Sequence, residues 1–187
     1  MSNRFNRYRL FLAALFTLAV VSGATGPLSV AQQPPRSERA ARFQEWRVTL
    51  QEARTAGESG DRAKAIALYE SLLAAAARHN ERGLLVARAD DGLADELRKS
   101  GRCLDALPHY RSAASSWIEL FKGPQPRQAV TLHNLGLCQM ELSSWDAAIK
   151  SLRQASAIWI AANGQESEGL AATQQALAAA TQRRSTP

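Results

Sequence analysis

The side chains in this sequence that could do chemistry are a run of acids, three histidines and two cysteines. The acids Asp90, Asp91, Asp95 and Glu96 lie on one predicted helix, which carries Arg88 before them and Arg98 and Lys99 after them. A carboxyl pair that acts as acid and base needs a cleft and an environment that keeps one carboxyl protonated. Basic residues three or four positions away favour ion pairs along the helix instead. The sequence also lacks a nucleophile-elbow serine and a glycine-rich phosphate loop, so we predict that the protein is not an enzyme.

The three histidines, His79, His109 and His133, are isolated from one another in the sequence. No spacing of His, Cys, Asp or Glu resembles a zinc or calcium site. The sequence therefore predicts no metal, no cofactor and no small-molecule substrate.

The N-terminal segment, residues 1–31, has the pattern of a secretory signal peptide. Basic residues come first, an apolar run covers residues 10–23, and small residues at Ser29 and Ala31 suit cleavage. The apolar run is shorter than the roughly 20 residues that span a membrane. We expect an exported protein, periplasmic or secreted. The alternative is a membrane anchor formed by an uncleaved segment 10–30.

The charge of the chain changes if this segment is removed. The formal net charge is +6, and residues 1–31 contribute three basic and no acidic residues, which leaves +3 on residues 32–187. The remaining charges of both signs are interleaved, which is typical of solvated helix faces. No basic block carries the interleaved aromatics of single-strand binders, so nucleic acid is not an expected partner.

Apolar residues at spacings of three and four define pairs of helices, and the pattern occurs three times. Gly60, Gly101 and Ser143, each in a predicted turn between two helices, lie 41 and 42 residues apart. The helix after each turn has matching residues: Ala65, Ile66 and Tyr69, then Ala106, Leu107 and Tyr110, then Ala148, Ile149 and Leu152. Gly136, on the helix before the third turn, predicts a close approach of a second helix.

These repeats resemble the tetratricopeptide repeat (TPR), in the long 41–42-residue form of kinesin light chains. The resemblance implies an all-α fold, a right-handed α-solenoid of three helix–turn–helix repeats with a C-terminal capping helix. We place a linker at 32–37, a repeat domain at 38–183, repeats at 38–79, 81–121 and 127–163, the capping helix at 166–182 and a tail at 184–187. Within the second repeat, a helix that begins at Asp105 would keep Pro108 in its first turn, where proline is tolerated.

The two cysteines occupy positions in neighbouring repeats. Cys103 follows the turn of the second repeat, and Cys138 lies on the first helix of the third. In an oxidising compartment they could form a disulfide. The alternative is that they are two small buried side chains.

The resemblance also implies a function, because the first helices of such repeats line a concave groove that binds another protein. The family's groove positions correspond to Arg47 and Arg54 in the first repeat, Arg88, Asp91, Asp95 and Arg98 in the second, and His133, Asn134, Leu137 and Met140 in the third. We therefore expect an exported, non-enzymatic scaffold that binds a partner peptide or helix with acidic and apolar residues. The alternative is a membrane-tethered structural protein that self-associates through its repeat ends. The sequence does not identify the partner.

Overall fold

The computed structural model describes residues 35–163 and 167–185, and the predictions for residues 1–31 lie outside this part of the chain. The described residues form helices and no strands. The helices are α1 (Arg36–Glu58), α2 (Arg62–Arg78), α3 (Leu84–Lys99), α4 (Cys103–Leu120), α5 (Pro126–Glu141), α6 (Trp145–Asn163) and α7 (Glu168–Ser185). None of these helices is long and apolar enough to cross a membrane.

The helices pack in two layers. Each helix contacts the next one along the chain, and α1 also contacts α3, α3 contacts α5, and α5 contacts α7. We call these four helices the inner layer and α2, α4 and α6 the outer layer. The outer helices contact inner ones but not one another within the described residues. The predicted all-α repeat fold is confirmed, with the pairs α1–α2, α3–α4 and α5–α6 followed by α7.

The turn inside each pair has the same backbone geometry. Gly60, Gly101 and Ser143 have positive φ angles of 87°, 74° and 55°. In every case this residue's N–H donates to the carbonyl three residues back, and the next N–H donates to the carbonyl five residues back. This is the Schellman arrangement, which satisfies the last carbonyls of a helix through one residue in the left-handed region. The equivalence of the three turns explains why the repeat is visible in the sequence.

Small residues let the two helices of a pair approach closely. Ala65, Ala106 and Ala148, at equivalent positions of α2, α4 and α6, are all fully buried. A Cβ on Gly136 would lie 2.6 Å from Cγ of Leu152, so the predicted close approach at this glycine is confirmed. Between pairs, a Cβ on Gly92 of α3 would collide with the ring of Tyr69 of α2.

Five helix starts differ by one to three residues from the predicted ones, since α1 begins at Arg36, α5 at Pro126 and α7 at Glu168, and the starts of α3 and α4 also shift. The last two have a clear cause in the backbone. Helix α3 begins at Leu84 rather than at residue 81, because Asn80 (φ 49°) ends α2 in the left-handed region and Gly83 (φ 124°) lies in the connection. Helix α4 begins at Cys103 rather than at Asp105, so Pro108 lies inside it. Proline cannot donate to the carbonyl four residues back, that of Leu104. Both residues are exposed, and solvent can reach this side of the helix.

Cys103 and Cys138 form a disulfide, so the structure takes the first of the two sequence alternatives. Both residues are buried, with exposed fractions of 3% and 0%. The bond joins the start of α4 to α5 and closes a loop with a sequence separation of 35 residues. It therefore links the second helix pair covalently to the third.

Candidate protein-binding cleft

Three of the predicted groove residues meet at one surface of the inner layer. Arg47 and Arg54 on α1 and Arg88 on α3 line a cleft that extends to the start of α2. We call this surface the inner cleft and define it by Arg47, Val48, Arg54, Lys64, Leu85 and Arg88. Its described lining contains four basic residues and two acidic ones, Glu52 and Asp61. The inner cleft therefore carries an excess of positive charge.

Most of these cations are available to a ligand. Arg47, Lys64 and Arg88 are exposed, and their side chains form no ion pair within the described part of the chain. Arg54 lies 3.6 Å from Glu58 in a pair whose members are both largely exposed. Such surface pairs contribute little, so Arg54 can exchange this partner for another carboxylate.

The sequence missed several side chains of the inner cleft. Gln44 and Gln51 line it together with Arg47 and Arg54, and the spacing of these four residues alternates between three and four. This helical stripe is visible in the sequence, so the two glutamines could have been found. No spacing in the sequence indicates Lys64, because it belongs to α2, and only the reversal of the chain at Gly60 brings it to the cleft.

Asp91, which the sequence assigned to the groove, is instead buried, with an exposed fraction of 3%. Its Oδ1 accepts a hydrogen bond from Thr131 Oγ1 at 2.7 Å, and its Oδ2 lies 3.0 Å from Nε of Arg127. The indole N–H of Trp117 donates to the same threonine oxygen at 3.2 Å. The prediction that Asp91 contacts a partner protein is therefore wrong: this carboxylate joins α3 to α5 inside the fold.

The other acids of α3 also have partners inside the protein. Asp95 Oδ1 accepts from Tyr110 Oη at 2.6 Å and from Asn134 Nδ2 at 2.8 Å, so the predicted groove residues Asp95 and Asn134 bind each other. Asp90 accepts from Ser112 Oγ at 2.6 Å and lies 2.8 Å from Nδ1 of His109.

The predicted ion pairs along α3 are therefore mostly replaced by contacts between helices. Only Glu96 and Lys99, 2.6 Å apart, pair along the helix as expected. The side chains that bind Asp90, Asp91 and Asp95 come from α4 and α5, which the spacing within α3 cannot reveal.

Apart from Asn134, the predicted groove residues of the third pair are turned toward α6 and α7. His133 Nδ1 lies 3.1 Å from Thr173 Oγ1 of α7, and burial together with the charge of Arg98 lowers the pKa of His133. Leu137 and Met140 are half-buried against an apolar cluster formed by α6 and α7. Arg98 of α3 is also half-buried, and its Nε has no hydrogen-bond partner in the part of the chain that the structure describes. These residues therefore support the packing of α5 and do not extend the inner cleft.

The described residues contain no group of three or more His, Cys, Asp or Glu side chains that could hold a metal ion.

Comparison with known proteins bears on the fold. No protein-family model and no curated protein matches the sequence. Two crystal structures from Podosopora anserina, described as a kinesin light chain with nearly identical TPR-like repeats, match with a TM-score of 0.64 and 20% sequence identity. Each match covers 75% of this chain and 66% or 67% of the other, so this chain spans about two thirds of their length. The predicted resemblance is thus confirmed at the level of structure, and the chain has the TPR-like repeat fold.

Proposed function

We propose that this protein is a non-enzymatic scaffold that binds an acidic segment of a partner protein in the inner cleft. The observation that carries this proposal is the convergence of Arg47, Arg54, Arg88 and Lys64 on one surface, with three of the four side chains unpaired among the described residues. The TPR-like repeat fold supports a role in protein–protein interaction, although a fold alone does not define a function.

The chemistry of the inner cleft favours a ligand with both carboxylates and apolar side chains. Guanidinium groups bind carboxylates through two parallel hydrogen bonds, which fixes the orientation of the ligand. Val48, with an exposed fraction of 50%, and the half-buried Leu85 offer apolar contacts beside the arginines. A peptide or helix with alternating acidic and apolar residues would satisfy both features.

The partner can be sought by affinity capture from an envelope extract, with identification by mass spectrometry. Wild-type protein is compared with the double variant Arg47→Glu/Arg88→Glu and with the control Arg78→Glu/Arg153→Glu, whose exposed arginines lie on outer-layer helices. We expect a partner that binds wild type and control but not the cleft variant. Circular dichroism checks that all three proteins are helical. A partner that binds all three proteins equally would contradict the assignment of the inner cleft.

Export is part of the proposal and has its own test. If residues 1–31 act as a cleaved signal peptide, the intact mass of the exported protein corresponds to a chain that starts at Gln32. A retained Met1 would instead favour the membrane-tethered alternative. In that case sedimentation analysis should reveal self-association, which the scaffold proposal does not require.

A further inference from the structure

A second groove opens on the outer layer, away from the helices that line the inner cleft. Helices α4 and α6 both pack on α5 but do not contact each other within the described residues. The space between them is about 700 Å³, with α5 as its floor. We call it the outer groove and define it by Arg111 and Ile118 of α4, Gln128 and Leu132 of α5, and Lys150 and Ile158 of α6.

Apolar residues from all three helices line part of the outer groove. Leu132 and Leu135 lie along the floor, and Ala114 and Ile158 flank them. Ile118 keeps 64% of its surface exposed at the edge of the groove. Ile118 therefore offers apolar surface at the edge of the groove, where another molecule could contact it.

Several polar side chains of the outer groove lack partners among the described residues. Arg111 of α4 and Lys150 of α6 lie on different walls of the groove, and neither forms an ion pair or hydrogen bond with any described residue. The described lining contains no Asp or Glu. On the floor, the side chain of Gln128 forms no hydrogen bond with any described residue, whereas Gln139 accepts from Ser151 Oγ at 2.8 Å. The amide of Gln128 is therefore free to bond to water or to a ligand in the groove.

We propose that the outer groove binds an amphipathic helix of a partner protein, with apolar residues on one face and carboxylates at both flanks. The two walls and the floor are helices, and a helix that lies between α4 and α6 can place its side-chain ridge between theirs. Its apolar face covers Ile118 and Leu132, its flanking carboxylates pair with Arg111 and Lys150, and a polar group on it satisfies Gln128. Because the inner cleft lies on α1 and α3, one molecule can hold two partners at once.

The test uses a fluorescent probe peptide of about four helical turns, with leucines at helical spacing and glutamates on both flanks. A second probe has lysines in place of the glutamates. Fluorescence anisotropy measures the Kd of each probe for the full-length protein, for the double variant Arg111→Glu/Lys150→Glu and for Ile118→Glu. We expect the acidic probe to bind wild type and to weaken at least tenfold with either variant. The basic probe should bind the charge-reversed double variant better than wild type.

Matched controls separate the outer groove from the rest of the surface. Ile160→Glu and Arg153→Glu change exposed residues of α6 that do not line the groove, and both should leave the Kd of the acidic probe unchanged. Because the inner cleft is also proposed to bind acidic segments, the titrations are repeated with Arg47→Glu/Arg88→Glu in every protein. The difference in Kd between the outer-groove variants and their controls should persist there, which makes this result independent of the proposed function of the inner cleft. The proposal is overturned if the acidic probe does not bind wild type, or if the groove and control variants weaken it equally. A concentration-dependent dimer that Ile118→Glu abolishes would also overturn it, because the occupant would then be a second copy.

Discussion

Asp91 lies between two opposing influences on its carboxyl group. Burial and the nearby Asp95 raise its pKa to about 6, while the hydrogen bond from Thr131 and the charge of Arg127 act in the opposite direction. The ion pair with Arg127 does not bring the pKa of Asp91 back to its ordinary value. The side chain of Arg127 is 56% exposed, so solvent screens its charge, whereas the side chain of Asp91 is 4% exposed. At the scale of single residues, Asp91 is therefore not a binding residue, as the sequence predicted, but a buried group whose titration makes stability depend on pH.

The raised pKa has a definite consequence for stability. The folded state binds the proton of Asp91 at higher pH than the unfolded state, whose pKa is near the ordinary value of 3.8. Protonation of Asp91 therefore stabilises the folded state as pH falls from 7 to 4, and this stabilisation is lost as pH rises through about 6. We expect Asp91→Asn to remove this contribution, on the order of 1–3 kcal/mol across that range. Urea unfolding at several pH values measures the effect.

Titration of His133 changes the stability of the fold in the opposite direction, so the pH profile of wild type must be compared with that of Asp91→Asn. Its lowered pKa means that stability is lost as pH falls below the unfolded value of 6.5. The difference between wild type and Asp91→Asn cancels this term, because His133 is present in both. Glu70→Gln, at an exposed residue of α2 that forms no ion pair in the described part of the chain, is the control. A profile for Asp91→Asn parallel to that of wild type would contradict the assignment.

At the scale of the elements, the helix-ending turns determine where each pair reverses. The first and second turns place glycine in the left-handed region, whereas the third places Ser143 there with φ 55°. A side chain in this conformation is strained by roughly 1 kcal/mol, since its Cβ approaches the following carbonyl. The three turns share the same hydrogen bonds, so the residue at this position can be exchanged without altering the rest of the turn.

We therefore expect Ser143→Gly to raise the free energy of unfolding by about 0.5–1 kcal/mol, because glycine adopts this conformation without strain. The reverse exchange at the equivalent position, Gly101→Ser, should lower it by a similar amount. Chemical denaturation of the two variants provides the measurement. If both substitutions changed stability in the same direction, the argument from backbone strain would fail.

At the scale of the whole molecule, helix pairs that interact mainly with their neighbours are joined by one covalent link. Repeat proteins gain stability from the interfaces between adjacent units, and an isolated weak interface can open separately. The disulfide between Cys103 and Cys138 crosses the boundary between the second and third pairs. Polar contacts cross the same boundary, including Asp91 with Thr131 and Asp95 with Asn134.

Reduction of the disulfide should lower the free energy of unfolding by about 2–4 kcal/mol, since the cross-link restricts the unfolded chain. Guanidinium unfolding with and without dithiothreitol measures this loss, and alkylation followed by mass spectrometry verifies the redox state. The variant Cys103→Ser/Cys138→Ser should lie near the reduced protein and should not respond to reductant. Equal stability with and without the bond would contradict a structural role for it.

Much of the fold could be predicted because its signals are local. A helix buries residues three and four positions apart, and each turn places a glycine or serine at one repeat position, so both features recur in the sequence at a fixed interval. Helix boundaries were less certain where several residues can end or begin a helix. The start of α4 at Cys103 is an example, because exposure of Pro108 and Leu104 decides whether the proline is tolerated.

The sequence by itself determined the helix pairs, their order and the arginine stripe of α1, since these depend on residues close together in the chain. Only the tertiary structure decided which polar side chains are available. Asp91 meets Thr131 and His133 meets Thr173, both across a separation of 40 residues. Whether such groups face solvent or each other depends on how neighbouring helices pack. The outer groove also results from how the helices pack, because α4 and α6 both contact α5 but do not contact each other within the described residues.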